Sequence, residues 1–438
     1  MTAIHGRRTL EDLKLFRSSL MSLAVSAAVM LTSGTASASS IDVRMNDIMA
    51  SGEATPLAAM AVLKLHNGRP EYAYFSGFAR RDQGRTVAVG TDTLFRVASI
   101  SKMVTTIGFM ELVEQGKISL DQDVSDYLGF KLRNPNYPSI PITARMLLSH
   151  TSSIRDADVY NLPPGQKISS FFEQTHKLGA VNYHFAHEAG RGPGAYFAYC
   201  NLCFGLIGTM VEHVTGQRFD LYQKEHVLKP LGISGGYNVL DIPSSEKLAT
   251  LYAYGPKGYE AQVDMPPLRG WSNAVLRDYR PGDNGTLFSP QGGLRISVNG
   301  LGRLARFMQG RGALGNVRLL SPSSIKLMET PVWQFDGHNG EGAYPISSYG
   351  LGVILLNGAV DPSGHPAIPY AGYHGAMKGH LGDAYGLHSG LWYEPEGGNV
   401  YIFVADGFPN DTSPKSGVYS SFSRVEEEIL TTLSHIKR

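Results

Sequence analysis

Cysteine is almost missing from this sequence. Among 438 residues only Cys200 and Cys203 occur, which excludes a disulfide-dense scaffold and a cysteine-rich metal site. His184 and His187 lie three apart, with neither an HExxH frame nor cysteine partners, so no metal is expected. An excess of charge of either sign is missing too. Lys and Arg number 39 against 38 Asp and Glu, a formal net charge of +1, so there is no broad nucleic-acid footprint and no acidic tail. Long apolar runs are equally scarce. Leu20 to Leu31 is too short to span a bilayer comfortably.

That run has the grammar of a leader instead. Arg7, Arg8, Lys14 and Arg17 precede it, and Ala36-Ser37-Ala38 supplies small residues for a signal peptidase. Cleavage after Ala38 is expected, so residues 1–38 are read as a signal peptide and 39–438 as the exported protein, periplasmic or secreted. An uncleaved anchor is the weaker rival. A twin-arginine signal is disfavoured because Glu11 and Asp12 stand where apolar residues are wanted. Loss of the leader leaves a formal charge of −1. In an exported chain Cys200 and Cys203 could form a small disulfide. A redox pair would want an exposed helix start in a thioredoxin-like pattern, which nothing else supports, and the preferred reading is two buried apolar thiols.

A hydrophobic share of 42% with 18% charged residues suits a globular core, and 50 glycines imply many turns. Ala58 to Leu65 reads as a strand, Asn67-Gly68 as a turn and Glu71 to Gly77 as the return. The same grammar recurs near the far end, with Leu387 to Tyr393, a turn at Glu396-Gly397-Gly398, then Val400 to Val404. Ser423 and Glu426 form a capping box ahead of Val425, Ile429, Leu433 and Ile436 on one helical face. Between the two ends, helical patterns cover Ser99–Gln115, Cys203–Thr215 and Gly300–Gln309, separated by glycine- and proline-rich loops. The fold expected is α/β of the α+β type: one antiparallel sheet built from both chain ends, flanked by helices, with an inserted helical lobe.

Phe95-Arg96-Val97-Ala98-Ser99-Ile100-Ser101-Lys102 carries the most chemistry. If a helix begins near Ser99, Lys102 lies one turn on along the same face. A serine hydroxyl needs a base to attack at neutral pH, and an amine serves once its pKa is lowered. Ser101 has no lysine three residues on. Farther along, Tyr199 and Asn201 stand two apart within Pro193 to Asn201, where a phenol could relay a proton and an amide could hold Lys102 or a substrate carbonyl. Tyr196 has no such asparagine.

The stretch FRVASISK closely resembles the FRIGSVSK form of class C β-lactamases and their carboxypeptidase and esterase relatives in the penicillin-binding-protein superfamily. Pro193 to Asn201 resembles that family's PG…YSN segment, Ile142 to Ser153 its ITIRHLLTHTSG segment, and Ser289 to Leu294 its glycine-rich segment. The resemblance runs from about residue 45 to the C-terminus. It implies a β-lactamase/transpeptidase-like fold and an acyl-enzyme on Ser99. Lys102 would be the base, assisted by Tyr199, with the phenol acidified by Lys102, and no cofactor would take part. The family's third motif, Lys- or His-Thr-Gly, has two candidates, His374-Gly375-Ala376 and His380-Leu381-Gly382. Only His380 stands 14 residues before Glu394-Pro395, the spacing the resemblance requires. Asn201, His380 and Gly382 would then meet the substrate, with the backbone N–H groups of Ser99 and Asp383 as the oxyanion hole.

The pattern also breaks. Leu381 replaces the hydroxyl that helps hold a substrate carboxylate, His380 replaces a permanent cation, and Asp383 adds negative charge nearby. These changes weaken an efficient β-lactamase. They leave D-amino-acid peptides (as for a D-alanyl-D-alanine carboxypeptidase or D-aminopeptidase, with peptidoglycan fragments as partners), amides with a free amine, and neutral esters. Arg295 could restore carboxylate binding, although an exposed arginine at a helix start is the preferred reading. A non-catalytic envelope scaffold is the remaining class, disfavoured because serine and lysine are both present. Oligomeric state and stereochemical preference are not written in the sequence.

Overall fold

The computed structural model describes residues 39–436 apart from 53–54, 83, 174–184, 243, 342–344, 362–363, 396–397 and 410–416. The expected signal peptide, His184 and two residues of the last hairpin turn lie outside the described residues.

The strands expected at the two chain ends pair with each other. Ala59–His66 lies between Arg69–Asp82 and Asn399–Asp406, antiparallel to both. Outward from the C-terminal side the sheet continues through Leu387–Tyr393, Met377–Ala384, Ile354–Leu356, Ser348–Tyr349 and Trp333–Gln334, and at the other edge it ends with Arg85–Ala88. Among the described residues nine strands thus form one sheet, five of them on segments that the alternating pattern did not mark.

Both faces of this sheet are covered. Ala61, Leu63, Leu65, Val400, Ile402 and Val404 face the helical lobe, whereas Met60, Val62, Tyr401, Phe403 and Ala405 pack with Met45, Ile48, Val425 and Ile429 of the first and last helices. The near-continuous apolar character of the central strands follows from this two-sided burial. Each fully buried aliphatic side chain there contributes roughly 1.5–3 kcal/mol. The last helix, Arg424–Ser434, starts at the capping box read from the sequence: Ser423 accepts from the Glu426 amide, and the Glu426 carboxylate accepts from Ser423 N at 2.9 Å.

The helix after the expected nucleophile is Ser101–Glu114, and it is buried around its whole circumference over most of its length, not along one stripe. Its hydroxyls are satisfied internally: Thr105 donates to Pro290 O at 2.8 Å and Thr106 to Lys102 O at 2.8 Å. This helix is the axle of the lobe, and it carries the site at its N-terminal end.

Candidate active site

Ser99 sits in a 3-10 turn, Ala98–Ile100, between the short strand Phe95–Arg96 and the helix Ser101–Glu114. Ala98 has φ of +46°, a left-handed conformation that a Cβ disfavours. Three bonds hold it there. Val97 N donates to Leu294 O at 3.0 Å, Ser389 Oγ to Val97 O at 3.1 Å, and Ser101 Oγ to Ala98 O at 2.6 Å. Ser101 also accepts from Leu294 N at 3.0 Å, so its hydroxyl belongs to the turn, while that of Ser99 opens on the cavity.

Lys102 is fully enclosed. Its Nζ lies 3.0 Å from Ser99 Oγ, 2.8 Å from Asn201 Oδ1 and 3.0 Å from Gln291 O. Burial pushes its pKa down from 10.5 to about 7, against the opposing field of Asp156. The neutral amine has two N–H groups and one lone pair. Asn201 Oδ1 and Gln291 O can only accept, so they take the two protons and leave the lone pair for Ser99 O–H. The identity of Asn201 Oδ1 is itself fixed, because Asn201 Nδ2 donates to Asp156 at 2.8 Å.

Tyr199 is hydrogen-bonded to Ser99, and its ring lies under Lys102 Nζ at 4.7 Å from the centroid. The expected acidification does not occur. Burial, with the Asp156 charge adding to it, pushes the phenol above its ordinary range despite the bond to Ser99, because a half-neutral lysine supplies too little positive field to offset desolvation. Tyr196 lies apart, beneath Arg191.

Cys200 and Cys203 are bridged, not free, with Cα atoms 5.4 Å apart. Cys200 is the extended N-cap of helix Asn201–Thr215, and the first turn brings Cys203 back over it. Asp156 accepts from the N–H groups of Asn201 and Leu202, both at 2.9 Å, and so neutralises the same helix start. No sequence spacing marks Asp156; only the fold brings it there. Asp156→Asn keeps the shape and loses acceptors, and we expect kcat to fall about tenfold to a hundredfold. Since Asp156 raises the Lys102 pKa, the acid limb of the rate profile should also move to lower pH, measurable with any hydrolysed nitrophenyl ester.

His380 and Gly382 lie on strand Met377–Ala384. Neighbouring strand Ile354–Leu356 pairs only with Met377, Lys378 and Gly379, so beyond Gly379 the edge nearer the cleft has no strand on it. A Cβ on Gly382 would stand 2.4 Å from Val97 O and 3.1 Å from the Ala98 Cβ; glycine lets the strand approach the nucleophile turn. His380 is fully buried, and burial, followed by the Lys102 charge, pushes its pKa down to about 3. Its ring is neutral, with one nitrogen 2.9 Å from Tyr349 Oη and the other 2.6 Å from Leu381 O. Tyr349 Oη also lies 3.3 Å from His150, whose Nδ1 accepts from Cys200 N. His374 is exposed in a loop. Leu381 packs with the first- and last-helix core. The Asp383 carboxylate lies 3.9 Å from His388 and also lines the cavity that holds Ser99. Arg295 is not at an exposed helix start: it is buried in a two-residue strand and paired with Asp264 at 2.7 and 2.8 Å.

Ser99, Tyr199, Asn201, His380, Leu381 and Asp383 all line one cavity of about 520 Å³, with Arg96, Tyr160, Ile346 and Tyr385. Among the described residues no cluster of His, Cys, Asp and Glu could hold a metal ion.

The family model described as Beta-lactamase matches residues 46–421. This chain belongs to the β-lactamase family. Penicillin-binding protein 4 of Amycolatopsis lactamdurans is 27% identical over 368 residues, covering 78% of this chain and 88% of that one. The D-alanyl-D-alanine-carboxypeptidase/endopeptidase AmpH of Escherichia coli (strain K12) is 27% identical over 159 residues, 36% of this chain and 40% of that one. Among solved structures, a D-amino acid amidase of Ochrobactrum anthropi SV3 superposes with a TM-score of 0.61 at 18% identity, covering 90% of this chain and 99% of that one. The fold is therefore β-lactamase/transpeptidase-like, and this β-lactamase-family chain is a serine hydrolase. Asp156 beside Asn201, and Arg96, Tyr160 and Tyr385 in the cavity lining, are parts of the site that sequence reasoning missed.

Proposed function

We propose that this protein is an exported hydrolase that forms an acyl-enzyme on Ser99 and acts on D-amino-acid-containing peptides. The observation that carries the mechanism is the arrangement at Lys102 Nζ, where two fixed acceptors leave the amine lone pair directed at Ser99. Lys102 takes the Ser99 proton as Oγ attacks the carbonyl carbon. The N–H groups of Ser99 and Asp383 hold the oxyanion. Collapse of the intermediate breaks the bond to the leaving group, which is protonated from Tyr199, and the phenol is restored from Lys102. Water then attacks the acyl carbon and gives one proton to Lys102; the bond from that carbon to Ser99 Oγ breaks, Lys102 returns the proton to Oγ, and the acid is released. The raised pKa of Tyr199 and the lowered one of Lys102 favour lysine as base and tyrosine as proton donor.

For the substrate, support comes from the activities in the names of AmpH and the D-amino acid amidase. Export is supported by the leader grammar and by the Cys200–Cys203 bridge, since such bonds persist in oxidising compartments. No helix among the described residues is long and apolar enough to cross a membrane. One observation favours a carboxylesterase as second reading: the strand carrying neutral His380 and Leu381 offers neither cation nor hydroxyl to a substrate carboxylate.

The test is intact-mass spectrometry after exposure to a fluorescent penicillin, beside Ser99→Ala. A one-equivalent adduct that needs Ser99 is the expected result. No adduct, with Ser99-dependent hydrolysis of a short-chain nitrophenyl ester, would transfer the assignment to the esterase. Silence in both would sink the enzymatic reading.

A further inference from the structure

The cavity around Ser99 contains a cation whose role the mechanism does not use. Arg96 lies three residues before Ser99 on strand Phe95–Arg96, which pairs with Arg295–Ile296 so that the two arginines are direct partners in register. Arg295 spends its guanidinium on Asp264 and on the carbonyls of Tyr237 and Gly293. Arg96 makes a different set of contacts. Its Nε donates to Gly292 O at 3.0 Å, and its guanidinium carbon lies 4.8 Å from the centroid of the Tyr385 ring. Among the described residues neither Nη has a hydrogen-bond partner, and Arg96 makes no ion pair.

The bond from Nε orients the guanidinium plane, and the aromatic ring supports it. The pair of Nη groups is left as an open fork, a geometry that matches a carboxylate in bidentate fashion. Arg96 lines the 520 Å³ cavity with Ser99 and also a second cavity of about 450 Å³ that contains Tyr237, Asn238, Arg269 and Trp271. Among the described residues lining the Ser99 cavity, Arg96 alone carries a permanent positive charge; His380 there is neutral, and Lys102, bonded to Ser99, is half neutral near pH 7. Asp264, whose charge acts on Arg96, has both carboxylate oxygens engaged by Arg295. An unpaired, partly buried guanidinium is unfavourable until an anion arrives, and the nearby charge of Arg295 adds to that cost.

We propose that Arg96 is the specificity-determining residue of this site and binds a carboxylate of the substrate through its two Nη groups. The assignment rests on the hydrolase reading for its substrate, and deepens it: the cation absent from the His380-Leu381-Gly382 strand is supplied by the segment that carries the nucleophile. The carboxylate can belong to the acyl portion or to the leaving group.

Binding to the full-length Ser99→Ala protein separates these sources without requiring turnover. Calorimetric titration would compare N-acetyl-D-alanyl-D-alanine with its C-terminal amide, and N-glutaryl-D-alanine amide with N-butyryl-D-alanine amide. In at least one pair the acid should bind about tenfold or more tightly than its neutral counterpart. Adding Arg96→Gln should bring that ratio close to one, and Arg96→Lys should retain part of it, with thermal melts verifying that both variants fold. A preference in the first pair places the carboxylate on the leaving side, and one in the second pair on the acyl side. Equal binding of acid and neutral probes in both pairs, or a preference that survives Arg96→Gln, would overturn the assignment. Failure of Ser99 chemistry would appear in the penicillin and ester assays instead.

Discussion

Ser99→Ala is expected to lower kcat/KM by about 10⁴- to 10⁶-fold while the thermal melt stays close to that of the wild type. Only one oxygen is removed, and its site opens on the cavity, so no packed neighbour collapses. Lys102 keeps its bonds to Asn201 Oδ1 and Gln291 O, and the turn keeps its bonds through Val97, Ser101 and Ser389. Ser101 cannot take over, since its hydroxyl already donates to Ala98 O and accepts from Leu294 N. Stopped-flow nitrophenol release, with digestion and mass mapping of the acylated peptide, checks this. Turnover above about 1% of wild type, or label on another serine, would remove Ser99 from the mechanism.

Lys102→Met should be as damaging to turnover, and it carries a second signature that a merely structural lysine would not show. With the neutral amine as the proposed base, wild-type kcat/KM should rise with pH through an apparent pKa near 7. The stability consequence follows from the same shift. Folded Lys102 gives up its proton near pH 7, whereas the unfolded chain holds it up to 10.5. Between those values the unfolded state binds more protons, so raising the pH stabilises the folded protein. Methionine has a similar shape and no proton to lose. Relative to Lys102→Met, the wild type should therefore gain on the order of 3–4 kcal/mol of stability from pH 7 to 10.5. Parallel urea titrations at a series of pH values measure it. A flat difference across that window would mean that the buried lysine is not substantially neutral, and would undercut it as base.

The pieces legible in the sequence are those written in contiguous residues. The hairpin around Asn67-Gly68, strand Leu387–Tyr393, the capping box at Ser423 and the end of helix Asn201–Thr215 all follow from local pattern, because turn chemistry, alternation and capping act over a few residues. Ser99 and Lys102 belong to that class, as one helical turn sets their relation. The short strands between Phe95 and Leu356, such as Phe95–Arg96, Arg295–Ile296 and Ile354–Leu356, were not legible. Two- and three-residue strands carry no period, and their pairing is paid for by neighbours far along the chain. The state of Cys200 and Cys203 was misread for a related reason: the spacing permits a bridge without requiring one, and only the fold brings the two sulfurs together at the start of helix Asn201–Thr215.

By itself the sequence determined the pairing of Ser99 with Lys102, the family and the antiparallel sheet joining the two chain ends, since each rests on residue identity at short, fixed spacing. Tertiary structure decided the chemistry of those groups. Enclosure in a desolvated lobe brings Lys102 to a near-neutral pKa and leaves Tyr199 protonated. Asp156 arrives from a distant loop to orient Asn201, Asp383 turns toward His388, and Arg295 is consumed by Asp264 while Arg96 is left open to the cavity. Charge, proton affinity and hydrogen-bond capacity depend on what surrounds a group in three dimensions, and a linear pattern does not carry those surroundings.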